Sequence, residues 1–181
     1  PSGRISPTRA EHVLAGLGGR IELVLDGGPC ESGVESTVID CTGDTARILR
    51  PGGITREAVA ATLAARGMTL ATESPPTDED APASPGQLAS HYAPSAPVRL
   101  NVTAPEPGME LIGFGETGGA GELELNLSPA GDLQDAAANL FQMMHAADAA
   151  GAAVIGVAPV PDRGLGEAVN DRLRRAAAPR T

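Results

Sequence analysis

Between Glu73 and Pro97 the chain carries six prolines in 25 residues: Pro75, Pro76, Pro82, Pro85, Pro94 and Pro97. Each proline fixes its own φ and offers no backbone N–H. Each also biases the preceding residue away from helical geometry. Neither a helix nor an interior strand is expected to run through such a stretch. The chain therefore divides into residues 1–72 and 98–181, joined by a linker at 73–97. The acids Asp78, Glu79 and Asp80 fall in the first half of that linker. Its second half, SPGQLASHYAPSAP, is not low-complexity filler, since it holds the only Tyr of the chain and one of its three His.

Before the linker, Thr8 followed by Glu11 reads as a capping box that opens a helix with Val13, Leu14 and Leu17 on one face. Gly18-Gly19 closes it. Ile21–Leu25 reads as a buried strand. Residues 36–40 and 46–50 read as strands of an antiparallel hairpin around Thr42-Gly43-Asp44. Thr55 caps a helix from Arg56 to Arg66 that Gly67 closes. After the linker, residues 98–102, 110–114 and 122–127 read as strands. A helix starts at Ser128 or Asp132 and reaches Ala150, with Leu133, Ala137, Leu140, Phe141 and Met144 as its apolar stripe. Val154–Val157 is a buried strand and residues 166–178 a closing helix. Strands interleaved with helices predict a small three-layer α/β domain with a largely parallel sheet.

Apolar residues make up 41% of the chain but aromatics only 2%, so Ala, Val, Leu and Ile must build the core. The net charge of −10 argues against a general nucleic-acid or anionic-membrane surface. Two cysteines, Cys30 and Cys41, are too few for a disulfide framework and read as unpaired small hydrophobes in a reduced, cytoplasmic protein. No stretch approaches the roughly 20 apolar residues of a membrane helix. The polar start PSGRISPT shows neither a signal peptide nor an initiator Met, and reads as the interior of a longer chain.

The stretch Asp26–Gly53 is where chemistry is expected. Its glycines allow sharp turns and close backbone approach. Ser36 and Thr37 stand where a glycine loop becomes a strand, and Arg50 is locked between Leu49 and Pro51. A hydroxyl, nearby N–H groups and a rigid guanidinium suit a carboxylate or a phosphate. Plainer roles compete: Thr8 as a cap, Ser36 closing a strand end, Arg50 at a strand edge, and His91-Tyr92 docking the linker by Tyr burial. His91 has no second His or Cys at metal-ligand spacing. His12 and His145 read as structural or solvent-facing, and Arg172, Arg174 and Arg175 as the solvated face of the last helix.

Together, SGRISPT at 2–8, GVESTVID at 33–40 and ILRPGGIT at 48–55 resemble the second half of a YrdC-like domain. SPG at 84–86 and HYAP at 91–94 resemble the linker of the long, two-domain form of L-threonylcarbamoyladenylate synthase, and GLGEAVNDRLRRAA at 164–177 its C-terminal domain. The resemblance implies an α/β fold class. Residues 1–72 would be part of a YrdC-like twisted α/β sheet domain, 73–97 a Pro-rich lid, and 98–181 a small Rossmann-like three-layer α/β domain. It implies condensation of L-threonine, bicarbonate and ATP into threonylcarbamoyl-AMP and pyrophosphate. That product serves tRNA threonylcarbamoyladenosine-37 modification by a downstream tRNA-modifying complex. Thr8, Arg50, His91 and Tyr92 match ATP-binding positions, and Ser36 an L-threonine-binding position, with Ser6 a weaker candidate. No protein metal ligand is implied; Mg²⁺ would arrive with ATP.

The family's N-terminal half, with its Lys-x-Arg strand and Ser-Ala-Asn segment, is not in this sequence. Residues 1–181 alone are therefore expected to be inactive. Family linkers often carry a basic and aromatic run where Leu88, Ala89 and Ser90 stand here. Two other readings remain: a non-catalytic nucleotide- or threonine-binding module for regulation or assembly, and an RNA-binding YrdC-like protein. The net charge weighs against stable nucleic-acid binding.

Overall fold

The apolar stripe expected from Leu133 to Met144 lies on the longest described helix. In a computed structural model, which describes residues 3–72, 84–86, 88 and 90–179, this helix is Leu133–Ala149. Asp132 caps it, its carboxylate accepting from Gln134 N at 2.7 Å and Asp135 N at 3.0 Å. Ala136, Ala137, Leu140, Phe141, Met144 and Ala147 form its buried stripe. In chain order the elements are α1 (Ala10–Leu17), β1 (Val38–Asp40), β2 (Arg47–Arg50), α2 (Arg56–Ala64), β3 (Val98–Leu100), β4 (Met109–Ile112), α3 (Leu133–Ala149), β5 (Val154–Val157) and α4 (Leu165–Ala177).

Strands β3, β5 and β4 form a parallel sheet in that order, with Val98 opposite Ile155 and Met109 opposite Val154. Helices α3 and α4 pack against each other and on the strands. They therefore share one face of the sheet, where the sequence predicted three layers. The β3–β4 connection carries no helix that could cover the other face. The strand expected at 122–127 shrinks to one parallel bridge at Asn126, where Gly113 N donates to the Leu125 carbonyl and Leu127 N to the Gly113 carbonyl, each at 2.8 Å. Glu122 N and Leu123 N donate instead to the Glu110 carboxylate, each at 3.0 Å, and Glu124 has a positive φ of 50°. Those N–H groups are spent on a side chain and cannot join a ladder. Strand β3 stops at Leu100 because Asn101 takes a φ of 58°.

In the first part, β1 and β2 pair antiparallel as expected, with an irregularity between Val38 and Ile39. Thr55 caps α2, its hydroxyl accepting from Ala58 N at 3.3 Å. Ile21–Leu25 is not a buried strand, since Leu23 is 74% and Leu25 86% exposed. Among the described residues no strand lies beside it, and a strand's backbone groups need one. Helix α1 likewise has no buried residue. Its N-cap is Arg9, so the Thr8 capping box does not form. Thr8 points its hydroxyl at His12 Nδ1, 3.4 Å away, rather than at the helix N–H groups.

One buried apolar cluster among the described residues crosses the expected boundaries. Ile5, Val34 and Tyr92 belong to the same buried cluster as Phe141, Ile155, Val169 and Leu173. Burying Tyr92 in a chain with so few aromatics makes this part of the linker structural, whatever else it does.

Candidate active site: Arg50, Ser36 and the linker

Arg50 ends β2 and Ser36 precedes β1, so the hairpin brings them together. Arg50 Nε and Nη2 both donate to the Ser36 carbonyl, at 3.2 and 3.0 Å, and Nη2 also to Ser36 Oγ at 3.3 Å. Gly52 crosses close behind. A Cβ there would collide with the backbone of Glu35, Ser36 and Thr37, so only glycine fits. Gly53 N donates to the Glu35 carbonyl at 3.0 Å and Thr37 Oγ1 to the Ile54 carbonyl at 2.6 Å. The segment around Ser36 and the one after Arg50 thus form one stitched wall.

The linker meets this wall at the arginine. Arg50 Nη1 donates to the Pro85 carbonyl at 2.8 Å. Gly86 has a φ of 84°, and a Cβ on it would collide with the Tyr92 hydroxyl. Tyr92 stacks on Phe141 with ring centres 5.4 Å apart, and His91 meets it edge-on at 4.1 Å. His91 N donates to the Arg175 carbonyl at 3.3 Å. Burial lowers the His91 pKa, with Arg175, Arg172 and Arg50 acting in the same direction and Glu35 opposing them. Burial raises the Tyr92 pKa. Both side chains are therefore neutral near pH 7. The linker residues 73–83, Gln87 and Ala89 lie outside the described residues.

Thr8 is held elsewhere. It is buried, and its N–H donates to His12 Nδ1 at 3.2 Å. The His12 and His145 rings stack 3.9 Å apart, and His145 Nε2 donates to the Ser6 carbonyl at 3.1 Å. Burial lowers both imidazole pKa values, and for His12 the charge of His145 adds to it. Neither histidine is a free surface group; together they grip the Ser6–Thr8 segment. A cavity of about 370 Å³ opens beside it, lined by Ser6, His12, His91 and His145 among others. Ser36 and Arg50 do not line it.

Ser6 connects the two regions. Its hydroxyl donates to Glu35 Oε1 at 2.6 Å, while Glu35 Oε2 accepts from Arg172 Nε at 2.9 Å. Burial pushes the Glu35 carboxyl up, but Ser6 and Arg172 outweigh it and hold the pKa below its usual value. Here the solvated-face expectation for α4 fails. Arg172 is fully buried and Arg175 largely so, bonded to Asp171 at 3.1 Å; only Arg174 is exposed. A signal was present, because Val169, Arg172, Leu173 and Ala176 fall on one helical face. Cys30 and Cys41 are free, as expected, but exposed rather than packed as hydrophobes.

The charges decide what the wall attracts. Arg50 is buried, yet none of the ion pairs among the described residues involves it. Its hydrogen-bond partners are two carbonyls and a hydroxyl, all neutral. A desolvated cation with neutral partners favours an anion beside it. No group of three or more His, Cys, Asp or Glu is placed to hold a metal among the described residues. No described helix is long and apolar enough to cross a membrane.

Residues 54–178 match the profile of the family described as "Threonylcarbamoyl-AMP synthase, C-terminal domain". Residues 1–52 match the Sua5/YciO/YrdC profile, described as "Telomere recombination". The chain is 34% identical over 194 residues to the threonylcarbamoyl-AMP synthase of Bacillus subtilis, covering 99% of this chain and 55% of that protein. It is 37% identical over 190 residues to that of Pyrococcus abyssi, covering 97% and 55%. The crystal structure of P. abyssi Sua5 complexed with L-threonine superposes with a TM-score of 0.76 at 32% identity, over 97% of this chain and 55% of that one. The chain thus spans about half the length of the curated relatives it matches. By the match over 54–178, the chain belongs to the threonylcarbamoyl-AMP synthase family.

Proposed function

We propose that these residues form part of a threonylcarbamoyl-AMP synthase, which condenses L-threonine, bicarbonate and ATP into threonylcarbamoyl-AMP and pyrophosphate. The observation that carries the reading is the buried Arg50, its charge uncompensated by any described carboxylate, in direct contact with Ser36. The L-threonine complex of the P. abyssi relative supports an amino-acid site in the family.

The chemistry is nucleotidyl transfer. The amine of threonine takes up bicarbonate with loss of water to give a carbamate. A carbamate oxygen then attacks the α-phosphorus of ATP, and pyrophosphate leaves with the electron pair of the broken P–O bond. Such a step needs anions placed and developing charge stabilised, and no nucleophilic side chain. Arg50 supplies a permanent cation to the phosphates. Ser36 offers its hydroxyl to the threonine carboxylate. Thr8, His91 and Tyr92 border ATP, with the linker at 73–97 acting as a cover between a catalytic part at 1–72 and a C-terminal domain at 98–181. Mg²⁺ would accompany ATP, held mainly through its phosphates. The product feeds tRNA threonylcarbamoyladenosine formation in the cytoplasm. With a net charge of −10, the chain itself makes no stable tRNA complex.

The test is pyrophosphate release from ATP, L-threonine and bicarbonate. The complete gene product is expected to show it and residues 1–181 alone are not. Absence of release in the complete product overturns the proposal.

A further inference from the structure

Arg172 lies on α4, more than a hundred positions along the chain from the Ser36–Arg50 wall, and is fully buried. Its Nε donates to Glu35 Oε2 at 2.9 Å. Its Nη1 donates to the Pro51 carbonyl at 2.8 Å and to Asp171 Oδ2 at 2.7 Å. Its guanidinium carbon stands 5.3 Å from the centre of the Tyr92 ring, a cation–π contact. Glu35 immediately precedes Ser36, and Pro51 immediately follows Arg50. One guanidinium therefore grips the chain neighbour of each wall residue and meets the buried ring of the linker. Through Glu35 and Ser6 the same grip extends to the Ser-Pro-Thr segment.

Such a residue is a costly way to join a helix to its surroundings. Burying a guanidinium strips its hydration, and well-packed apolar side chains often stabilise as much or more. The cost is visible, since Arg172 Nη2 is buried without a hydrogen-bond partner. What an apolar residue cannot supply is the planar fork that fixes a carboxylate and a carbonyl in one plane.

We propose that Arg172 is a positioning residue: it sets the separation of Ser36 and Arg50 and seats Tyr92 beside them, so that α4 controls the geometry of the site. The catalytic consequence rests on the proposed synthase reading; the geometric claim does not. Lysine keeps the charge and three donors but gathers them on one nitrogen of a flexible stem, and so lacks the rigid fork that holds Glu35 and Pro51 at a fixed separation.

Tyr92 is the only Tyr and the chain has no Trp, so the fluorescence of residues 1–181 reports this one place. Arg172→Met and Arg172→Lys are compared with Arg174→Ala, whose side chain is 56% exposed. Both Arg172 variants are expected to raise acrylamide quenching of Tyr92 with helicity retained, and Arg174→Ala to leave it unchanged. If Arg172→Met does not fold, Arg172→Lys, which keeps a cation beside Glu35 and Asp171, decides. In the complete gene product, folded Arg172→Lys is expected to lose about 100-fold in kcat/KM, as for a small misplacement of reacting groups, with KM for L-threonine and ATP raised. A merely structural role would lower the amount of active protein and leave KM alone. Unchanged quenching, or an unchanged KM in the folded variants, overturns the proposal. If the unsubstituted complete product releases no pyrophosphate, the synthase reading falls, and the quenching result alone sustains or overturns the geometric claim.

Discussion

Arg50 reaches the carbonyl of Ser36 with two nitrogens and the Ser36 hydroxyl with one of them. The residue proposed for the nucleotide and the residue proposed for the amino acid are therefore hydrogen-bonded to each other. Moving either moves both.

Arg50→Ala in the complete gene product is expected to cost roughly 2–4 kcal/mol of transition-state stabilisation, as for loss of one strong electrostatic donor. Steady-state kinetics with varied ATP measure this as a fall in kcat/KM. A value equal to that of the unsubstituted protein would remove Arg50 from the nucleotide site.

Gly86→Ala tests the seating of the linker. The positive φ and the Tyr92 hydroxyl both oppose a Cβ, so a loss of about 1–3 kcal/mol is expected. Thermal unfolding reads it, with Gly43→Ala as the comparison, because a Cβ there meets open space. Equal melting temperatures for the two variants would mean that the Gly86 turn does not bear on Tyr92.

Tyr92→Ala removes a fully buried ring stacked on Phe141 and is expected to destabilise the protein by about 3–5 kcal/mol. Tyr92→Phe keeps the ring and should retain most of that stability. If Tyr92→Ala unfolds at the same denaturant midpoint as the unsubstituted chain, the linker is a loose cover and not part of the core.

Acid should weaken the fold in two steps. His12, His91 and His145 all have pKa values lowered by burial from the ordinary 6.5, so the folded state resists their protonation. Their contribution is complete above about pH 6.5 and is lost as pH falls through the lowered values. Protonated His12 also loses the Nδ1 acceptor that holds Thr8 N. The lowered Glu35 pKa adds a further loss below its ordinary 4.5. Melting temperature should be level above neutrality and decline from about pH 6.5 downward, less steeply in His12→Phe, which keeps the ring stack and removes one titrating group. A level profile down to pH 5 would contradict the imidazole clamp.

Local signals were legible where one segment decides its own structure. The Asp132 cap and the apolar spacing of α3, the Thr55 cap of α2 and the hairpin of β1 and β2 could be read from neighbouring residues. The contact between Arg50 and Ser36 follows from that hairpin. What could not be read depends on distant partners. Ile21–Leu25 has strand composition but no neighbouring strand among the described residues. At 122–123 the N–H groups go to the carboxylate of Glu110, which no pattern of alternation encodes, and only Asn126 keeps a bridge to Gly113. Arg172 looked solvated because arginine in a polar helix usually is. Its place on the face of Val169, Leu173 and Ala176 was the clue, and its partners Glu35 and Pro51 lie beyond any local window.

The two family profiles meet at positions 52 and 54, yet the guanidinium of Arg172 ties residues 35 and 51 to the last helix. The seam between the profiles is a seam in sequence and not in packing. A chimera that takes its C-terminal portion from another protein must bring an arginine to this place or leave the half-buried Glu35 carboxylate without its cation. Positions 35 and 172 are therefore expected to change together over descent, as a single heritable unit that straddles the boundary.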